Sequence, residues 1–124
     1  MNTYVRMTEG RKDPDCIFCK IVAGDVPAEF VDESPGAVAF KDINPQAPVH
    51  LLVIPREHYG DVSELAATNP QLMAEMVDLA AQVAGDLADG QFRLIFNSGP
   101  RAGQSVYHVH GHVLAGADLG WTPA

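Results

Sequence analysis

Basic residues are scarce in this chain: 8 lysines and arginines stand against 16 aspartates and glutamates, a formal net charge of −8. Sequence-independent binding to nucleic acid relies on basic side chains against phosphates, and no basic block stands out, so no nucleic-acid partner is expected. An anionic ligand must be held by local donors rather than drawn in by the field of the whole chain. No apolar run approaches the roughly 20 residues that a membrane helix needs, which excludes a membrane partner of that kind. The opening run Met1-Asn2-Thr3-Tyr4-Val5-Arg6 lacks the apolar centre of a secretory leader, so the expected location is cytoplasmic. Cysteine occurs twice, in the order Cys16-Ile17-Phe18-Cys19. A secreted disulfide scaffold would carry more. In a reducing compartment, Cys-x-x-Cys reads as a redox pair or as half of a zinc site.

What is present suits one domain: 124 residues can bury a core without staples. Residues 1–14 are polar and read as a loose N-terminal tail, with the domain and a C-terminal tail over 15–124. Asp15 is expected to cap a short helix carrying Cys16, Ile17, Phe18, Lys20, Ile21 and Val22, which Gly24 ends. Strands are expected over 29–32 and 37–42, around the turn Ser34-Pro35-Gly36. Others are expected over 50–54 with Pro55 as the stop, over 92–96, and over 106–114. Asn44-Pro45-Gln46-Ala47-Pro48 is a rigid loop, and 61–67 reads as a short helix. Asn69-Pro70 starts a long helix, with Leu72, Met76, Leu79, Val83 and Leu87 on one apolar face and its end near Ala88. This order predicts an α+β domain: a mostly antiparallel five-stranded sheet, one long helix and a short N-terminal helix.

Three of the five histidines alternate at His108, His110 and His112. In an extended strand, residues two apart share a face, and at about 3.3 Å per residue their rings stand roughly 7 Å apart. The preceding Gly103-Gln104-Ser105 loop can offer backbone N–H groups and a hydroxyl to an anion. An imidazole is neutral in useful amounts near pH 7 and suits attack at phosphorus. A covalent nucleotidyl-histidine then splits one difficult displacement into two. The middle histidine is the natural nucleophile. Asn97 and the loop amides can supply part of the positioning and charge stabilisation that dominate phosphoryl chemistry. A single such histidine would read as an ordinary sheet residue or a ligand; three beside this loop favour chemistry.

The run Gln104-Ser105-Val106-Tyr107-His108-Val109-His110-Gly111-His112-Val113-Leu114 resembles the signature of the histidine triad (HIT) superfamily, in particular its Hint-type nucleoside phosphoramidases. Other blocks are similar too: Asp15-Cys16-Ile17-Phe18-Cys19-Lys20-Ile21, then Phe40 through His50, then Val53-Ile54-Pro55-Arg56-Glu57-His58, and a tail over 116–123 that contains Trp121. The resemblance implies a HIT-like fold and hydrolysis of nucleoside 5′-phosphoramidates or related mixed nucleotides, with purine conjugates of AMP or GMP as substrates. It implies His110 as the nucleophile, His112 at the α-phosphate, Ser105 at the phosphate or leaving group, and His50 in support. Gly103, Gln104 and Val106 would line the same loop, with Asn97 near the phosphate. Asp42 would bind the ribose hydroxyls, and Phe18, Phe40 and Ile43 would hold the base. Phe18, Phe40 and Ile43 also read as ordinary core, and Asp42 as a turn cap. A homodimer through the long helix and a strand is implied as well.

The sequence departs from the family pattern at Gly111, where a bulky apolar residue usually separates the second and third histidines. Gly weakens strand packing, so the face opposite His110 and His112 is expected to be less well supported, or filled by another chain. Structural zinc takes four ligands. Cys16 and Cys19 supply two, and resemblance to zinc-bearing branches implies His108 and His58 as the others, with His50 as the fallback to His58. Buried free cysteines are the alternative. Three competing functions remain: a nucleotide-binding scaffold with incidental slow hydrolysis, a dinucleoside polyphosphate hydrolase of the same superfamily, and a hydrolase that uses the three histidines as metal ligands.

Overall fold

A computed structural model describes residues 11–121; residues 1–10 of the tail expected over 1–14, and residues 122–124 of the C-terminal tail, lie outside the described residues. Strands β1 (Phe30–Glu33), β2 (Ala37–Lys41), β3 (Val49–Pro55), β4 (Phe92–Phe96) and β5 (Gly111–Ala115) form an antiparallel sheet in the order β1-β2-β3-β5-β4. The α-helices are α1 (Ile17–Ala23), α2 (Val62–Thr68) and α3 (Pro70–Leu87), with one 3-10 turn at Pro100–Ala102. This is the expected α+β class.

Strand alternation decides which core each residue joins, because successive side chains point to opposite faces. Ala37, Ala39, Leu51, Val53 and Val113 pack with Leu72, Met76, Leu79 and Val83 of α3. Val38, Phe40, Leu52 and Ile54 pack on the other face with Cys16, Phe18, Cys19 and Ile21 around α1. Both faces of β2 and β3 are therefore covered, which is why these strands read as continuous apolar runs. No helix among the described residues is long and apolar enough to cross a membrane.

Local signals set the helix ends. The Asn69 side chain accepts the Leu72 N–H at 3.1 Å, and Pro70 follows in the first turn, where a missing N–H costs nothing. Asp61 caps α2 by accepting the Glu64 N–H at 2.9 Å. The cap of α1 differs from expectation. Cys16, not Asp15, holds the N-cap, its sulfur facing the Cys19 N–H at 3.4 Å, while the Asp15 N–H turns back to Asp13. Gly24 ends α1 with φ +87°, a left-handed conformation that its missing Cβ permits.

Pro55 does not stop β3 from outside; it is the strand's last residue, paired with Ala37. The final strand is shorter than expected, beginning at Gly111 rather than residue 106. Backbone groups between 106 and 110 are engaged elsewhere: the Val109 N–H bonds the Tyr59 carbonyl at 2.8 Å, and the Val106 carbonyl accepts from the Gln104 side chain at 3.0 Å. Arg11 ties the start of the described chain to this region, with its guanidinium 3.9 Å from the Tyr59 ring centroid and its Nε donating to the His58 carbonyl at 3.0 Å.

Leu87 falls outside the buried stripe of α3. It is 48% exposed, whereas Leu79 is 2% exposed. Leu79→Ala should lower the free energy of unfolding by about 2–5 kcal/mol through lost burial and a residual cavity. Leu87→Ala should change it by no more than about 0.5 kcal/mol. Urea denaturation of both variants checks the pair, and equal losses would contradict this packing.

Candidate active site and metal centre

The three alternating histidines lie on the sheet face that α1 covers: Phe18 meets the His108 and His110 rings at 5.9 and 5.2 Å, His112 is paired with Leu52 of the same core, and the intervening Val109 and Val113 join the opposite one. His108 and His110 precede β5, and their rings serve different clusters on this face. His108, with no exposed surface, turns into a cluster with Cys16, Cys19 and His58. Its Nδ1 lies 3.5 Å from Cys16 Sγ, 3.6 Å from Cys19 Sγ and 3.2 Å from His58 Nδ1. Cys19 Sγ is 3.4 Å from His58 Nδ1. All four donor atoms lie within 4.8 Å of one another. His58, and not His50, completes this group.

The hydrogen-bond network assigns the His108 proton. Nε2–H donates to the Pro55 carbonyl at 2.8 Å, which leaves the Nδ1 lone pair facing the sulfurs. A buried imidazole fixed in that tautomer by a carbonyl is a competent metal ligand. Burial pushes the His108 pKa down to about 4, against the Pro55 bond, which favours the charged form. Burial likewise raises the Cys19 thiol to about 11, with Cys16 adding to the rise and the Asp13 N–H opposing it. Two thiols and two imidazoles with this spacing fit a tetrahedral zinc-type ion, which would favour the thiolates that burial alone disfavours.

The second group contains His110, His112, His50 and Asp42. His110 Nδ1–H donates to the His108 carbonyl at 2.8 Å, so its Nε2 carries the free lone pair. The His110 and His112 ring centroids are 5.2 Å apart, closer than the roughly 7 Å expected of a regular strand. His50 Nδ1 accepts the Gln46 N–H at 2.9 Å, which places the His50 proton on Nε2. That Nε2–H faces His112 Nδ1 at 3.0 Å and Asp42 Oδ2 at 3.3 Å. His112 Nδ1 is therefore an acceptor, and the His112 proton sits on Nε2.

Asp42, His50 and His112 also bring three donor atoms within 4.8 Å. The Gln46 N–H, however, directs a proton rather than a lone pair from His50 into that space. Of the alternating histidines only His112 belongs to this group, and His108 belongs to the other, so the three do not converge on one ion. Burial lowers the pKa of both His110 and His112. The His108 carbonyl and Asp42 oppose the shift at His110; at His112 the neighbouring His110 and His50 deepen it while Asp42 opposes it.

The other expected residues are distributed unevenly. Asn97 lines a cavity of about 140 Å³ with Gln46, His50, Ile95, His112 and Leu114. The Gly103 backbone lies beside Asn97: a Cβ there would stand 3.8 Å from Asn97 Nδ2, and φ is +96°. Ser105 is exposed at the end of this loop. Gln104 is buried and serves the loop itself, accepting the Gly99 N–H at 2.8 Å and donating to the carbonyls of Gly60 and Val106 at 2.7 and 3.0 Å. Val106 packs against the α1 core.

Phe18 and Phe40 are buried and meet edge to face, with centroids 5.8 Å apart, and Phe18 also meets the His110 ring at 5.2 Å. Ile43 is fully exposed and belongs to neither core. The sequence reading missed Phe30, a half-exposed ring 6.0 Å from Phe40, and the Gln46 N–H that orients His50. Asp42 divides its two oxygens: Oδ1 accepts the Asn44 N–H at 2.8 Å as a turn cap, and Oδ2 faces the histidines.

Comparison with known proteins agrees with this geometry. A family model described as scavenger mRNA decapping enzyme C-term binding matches residues 15–120. The purine nucleoside phosphoramidase of Escherichia coli K12 is 38% identical over 108 residues, covering 86% of this chain and 91% of that protein. A HIT family hydrolase from Clostridium thermocellum has a structure with TM-score 0.84 and 42% identity, covering 90% of this chain and 98% of that one. A zinc-bound histidine triad family protein from Mycobacterium smegmatis has a TM-score of 0.72 and 35% identity, covering 86% of this chain and 78% of that one. With the alternating histidines, the sheet that carries them and a relative matched over nearly its full length all in agreement, the chain belongs to the histidine triad superfamily.

Proposed function

We propose that the chain hydrolyses purine nucleoside 5′-phosphoramidates through a nucleotidyl intermediate on His110. The observation that carries this reading is the bond from His110 Nδ1–H to the His108 carbonyl, which leaves Nε2 unprotonated and orients the ring. In the first step the Nε2 lone pair attacks the α-phosphorus, the phosphorus–nitrogen bond to the amine breaks, and the amine leaves with a proton taken from solvent, which the attacking water of the second step gives back. In the second, water attacks phosphorus, the bond to His110 breaks, and the nucleoside monophosphate departs. The ring of His112, with its proton on Nε2, donates to a phosphate oxygen, and His50 holds that tautomer in place.

Ser105, Asn97 and the loop at Gly103, Gln104 and Val106 supply further contacts around the phosphate. Asp42 takes the ribose hydroxyls, and the Phe18, Phe40 and Ile43 region takes the base. The fully exposed Ile43 gives a base an apolar surface to cover. The E. coli relative named a purine nucleoside phosphoramidase supports the choice of substrate class.

A structural zinc ion on Cys16, Cys19, His58 and His108 belongs to the same proposal. Bound there, the ion would supply only cross-linking, joining the start of α1 to the segments that carry His58 and His108. The zinc-bound M. smegmatis relative supports it. A homodimer through α3 and the edge strand β4 is likewise proposed.

Turnover of a fluorogenic adenosine phosphoramidate should be lost by about a thousandfold or more in His110→Ala, with the circular dichroism spectrum unchanged. Acid-quenched wild type should carry an adenylyl group on His110 by mass spectrometry. Retained turnover in the variant would refute the nucleophile; AMP binding without any wild-type turnover would favour a nucleotide-binding protein. Elemental analysis of protein purified without added zinc should find about one ion per chain, lost in Cys16→Ser/Cys19→Ser. A substoichiometric content that added zinc does not raise would overturn the metal assignment. Light scattering should give the mass of two chains, and a monomer at all concentrations tested would remove the dimer.

A further inference from the structure

Gly111 lies between His110 and His112 and is the first residue of β5. Its Cα is paired with Val53 of β3 on one side and with Phe96 of β4 on the other. A side chain at this position would point away from the two imidazoles, toward the core under α3 that Val109 and Val113 join. That space is already taken. A Cβ on Gly111 would stand 2.8 Å from Leu94 Cδ1 and 3.1 Å from both Cε1 and Cζ of Phe96. The face opposite the histidines, expected to be poorly supported or filled by another chain, is filled by this chain's own β4.

Glycine has more conformational freedom to lose than any other residue and brings no side chain of its own to pack. An aromatic ring laid across a glycine on the neighbouring strand supplies the missing contact. Here the glycine stands where the sheet begins and the segment carrying His108 and His110 ends. The backbone between the two imidazoles is held by ladder bonds at its edges and by Phe96 and Leu94 from beneath. The 5.2 Å spacing of the rings depends on that backbone.

We infer that Phe96, assisted by Leu94, is a positioning residue for the His110–His112 pair and replaces the side chain that Gly111 lacks. The inference rests on the phosphoramidase reading where its effect is measured as turnover. Displacing a nucleophile by a fraction of an ångström lowers the rate far more than it weakens binding of the nucleotide.

The test is a four-protein cycle: wild type, Phe96→Ala, Gly111→Val, and both together, with Phe96→Leu as a milder variant should Phe96→Ala fold poorly. Phe96→Ala should lower kcat for adenosine phosphoramidate about tenfold while KM stays within about twofold. Gly111→Val alone should lower both kcat and Tm, because the new side chain meets Leu94 and Phe96. Added to Phe96→Ala, or to Phe96→Leu, the same substitution should raise kcat, reversing its sign. A double variant no faster than the Phe96 variant, even with Tm restored, would reduce Phe96 to a structural role and overturn the inference. So would a kcat unchanged in the Phe96 variants.

The imidazole ¹H–¹⁵N resonances of His110 and His112 read the same cycle without substrate. They should move in the Phe96 variant and return in the double variant, and resonances that stay fixed throughout would also overturn the inference. A wild type that turns nothing over would sink the phosphoramidase reading alone and leave the positioning role to be decided by the spectra.

Discussion

The bond from His108 Nε2–H to the Pro55 carbonyl is the constraint on which both centres depend. It turns the Nδ1 lone pair of a fully buried imidazole toward two sulfurs and a second imidazole. It also fixes the residue whose own carbonyl accepts the His110 ring proton. One residue thus contributes its ring to the cluster with Cys16, Cys19 and His58 and its backbone to the orientation of His110. Cys16, Cys19 and His58 are thereby linked through His108 to the ring of His110. Pro55 suits its place because it has no N–H to satisfy, ends β3, and still offers the carbonyl.

Each cluster sets two imidazoles beside acidic donors, thiols in one and a carboxylate in the other, and backbone groups direct their protons oppositely. At His108 a carbonyl takes a proton away from the cluster. At His50 the Gln46 N–H pushes one into it. A metal ion needs converging lone pairs, which only the first arrangement supplies. The second is a chain of donors running from Gln46 through His50 to His112, and its last free proton, on His112 Nε2, is available to an oxygen. Proximity of side chains able to ligate marks both sites as metal candidates.

This also explains what was legible in the sequence. The start of α3 at Asn69-Pro70 and the limits of β4 rest on local signals, a capping side chain and a bounded apolar run, and they were readable. The cysteine pair was readable as half of a site, and resemblance supplied His58 and His108. The strand expected over 106–114 was misread because Val106, Tyr107, His108, Val109 and His110 mimic a period of two. The Val109 N–H finds its partner in the distant Tyr59, and the Val106 carbonyl is taken by the Gln104 side chain two residues away, so neither joins a ladder. Asp15 has the chemistry of a cap, but Cys16 took that role because its sulfur must face the cluster. Tautomers were not legible at all, since they depend on a carbonyl, which every residue possesses, and on an N–H, which every residue but proline possesses.

The charge of the chain gives the site its remaining constraint. With a net charge of −8, the protein as a whole repels a phosphate ester. Burial lowers the pKa of His110 and His112, so their neutral forms prevail at pH 7 and neither offers a compensating cation. The same burial that keeps His110 neutral preserves its lone pair, so cationic attraction and nucleophilicity cannot both be drawn from this ring. The site must rely on N–H and O–H dipoles, which hold an anion without ionising. Asp42 would oppose that arrangement if its carboxylate faced the phosphate unscreened. One of its oxygens is instead bonded to the Asn44 N–H, and the other faces the His50 N–H. The Asp42 carboxylate is thereby an orienting partner for the imidazoles, and on the proposed reading a phosphate is left to the neutral donors.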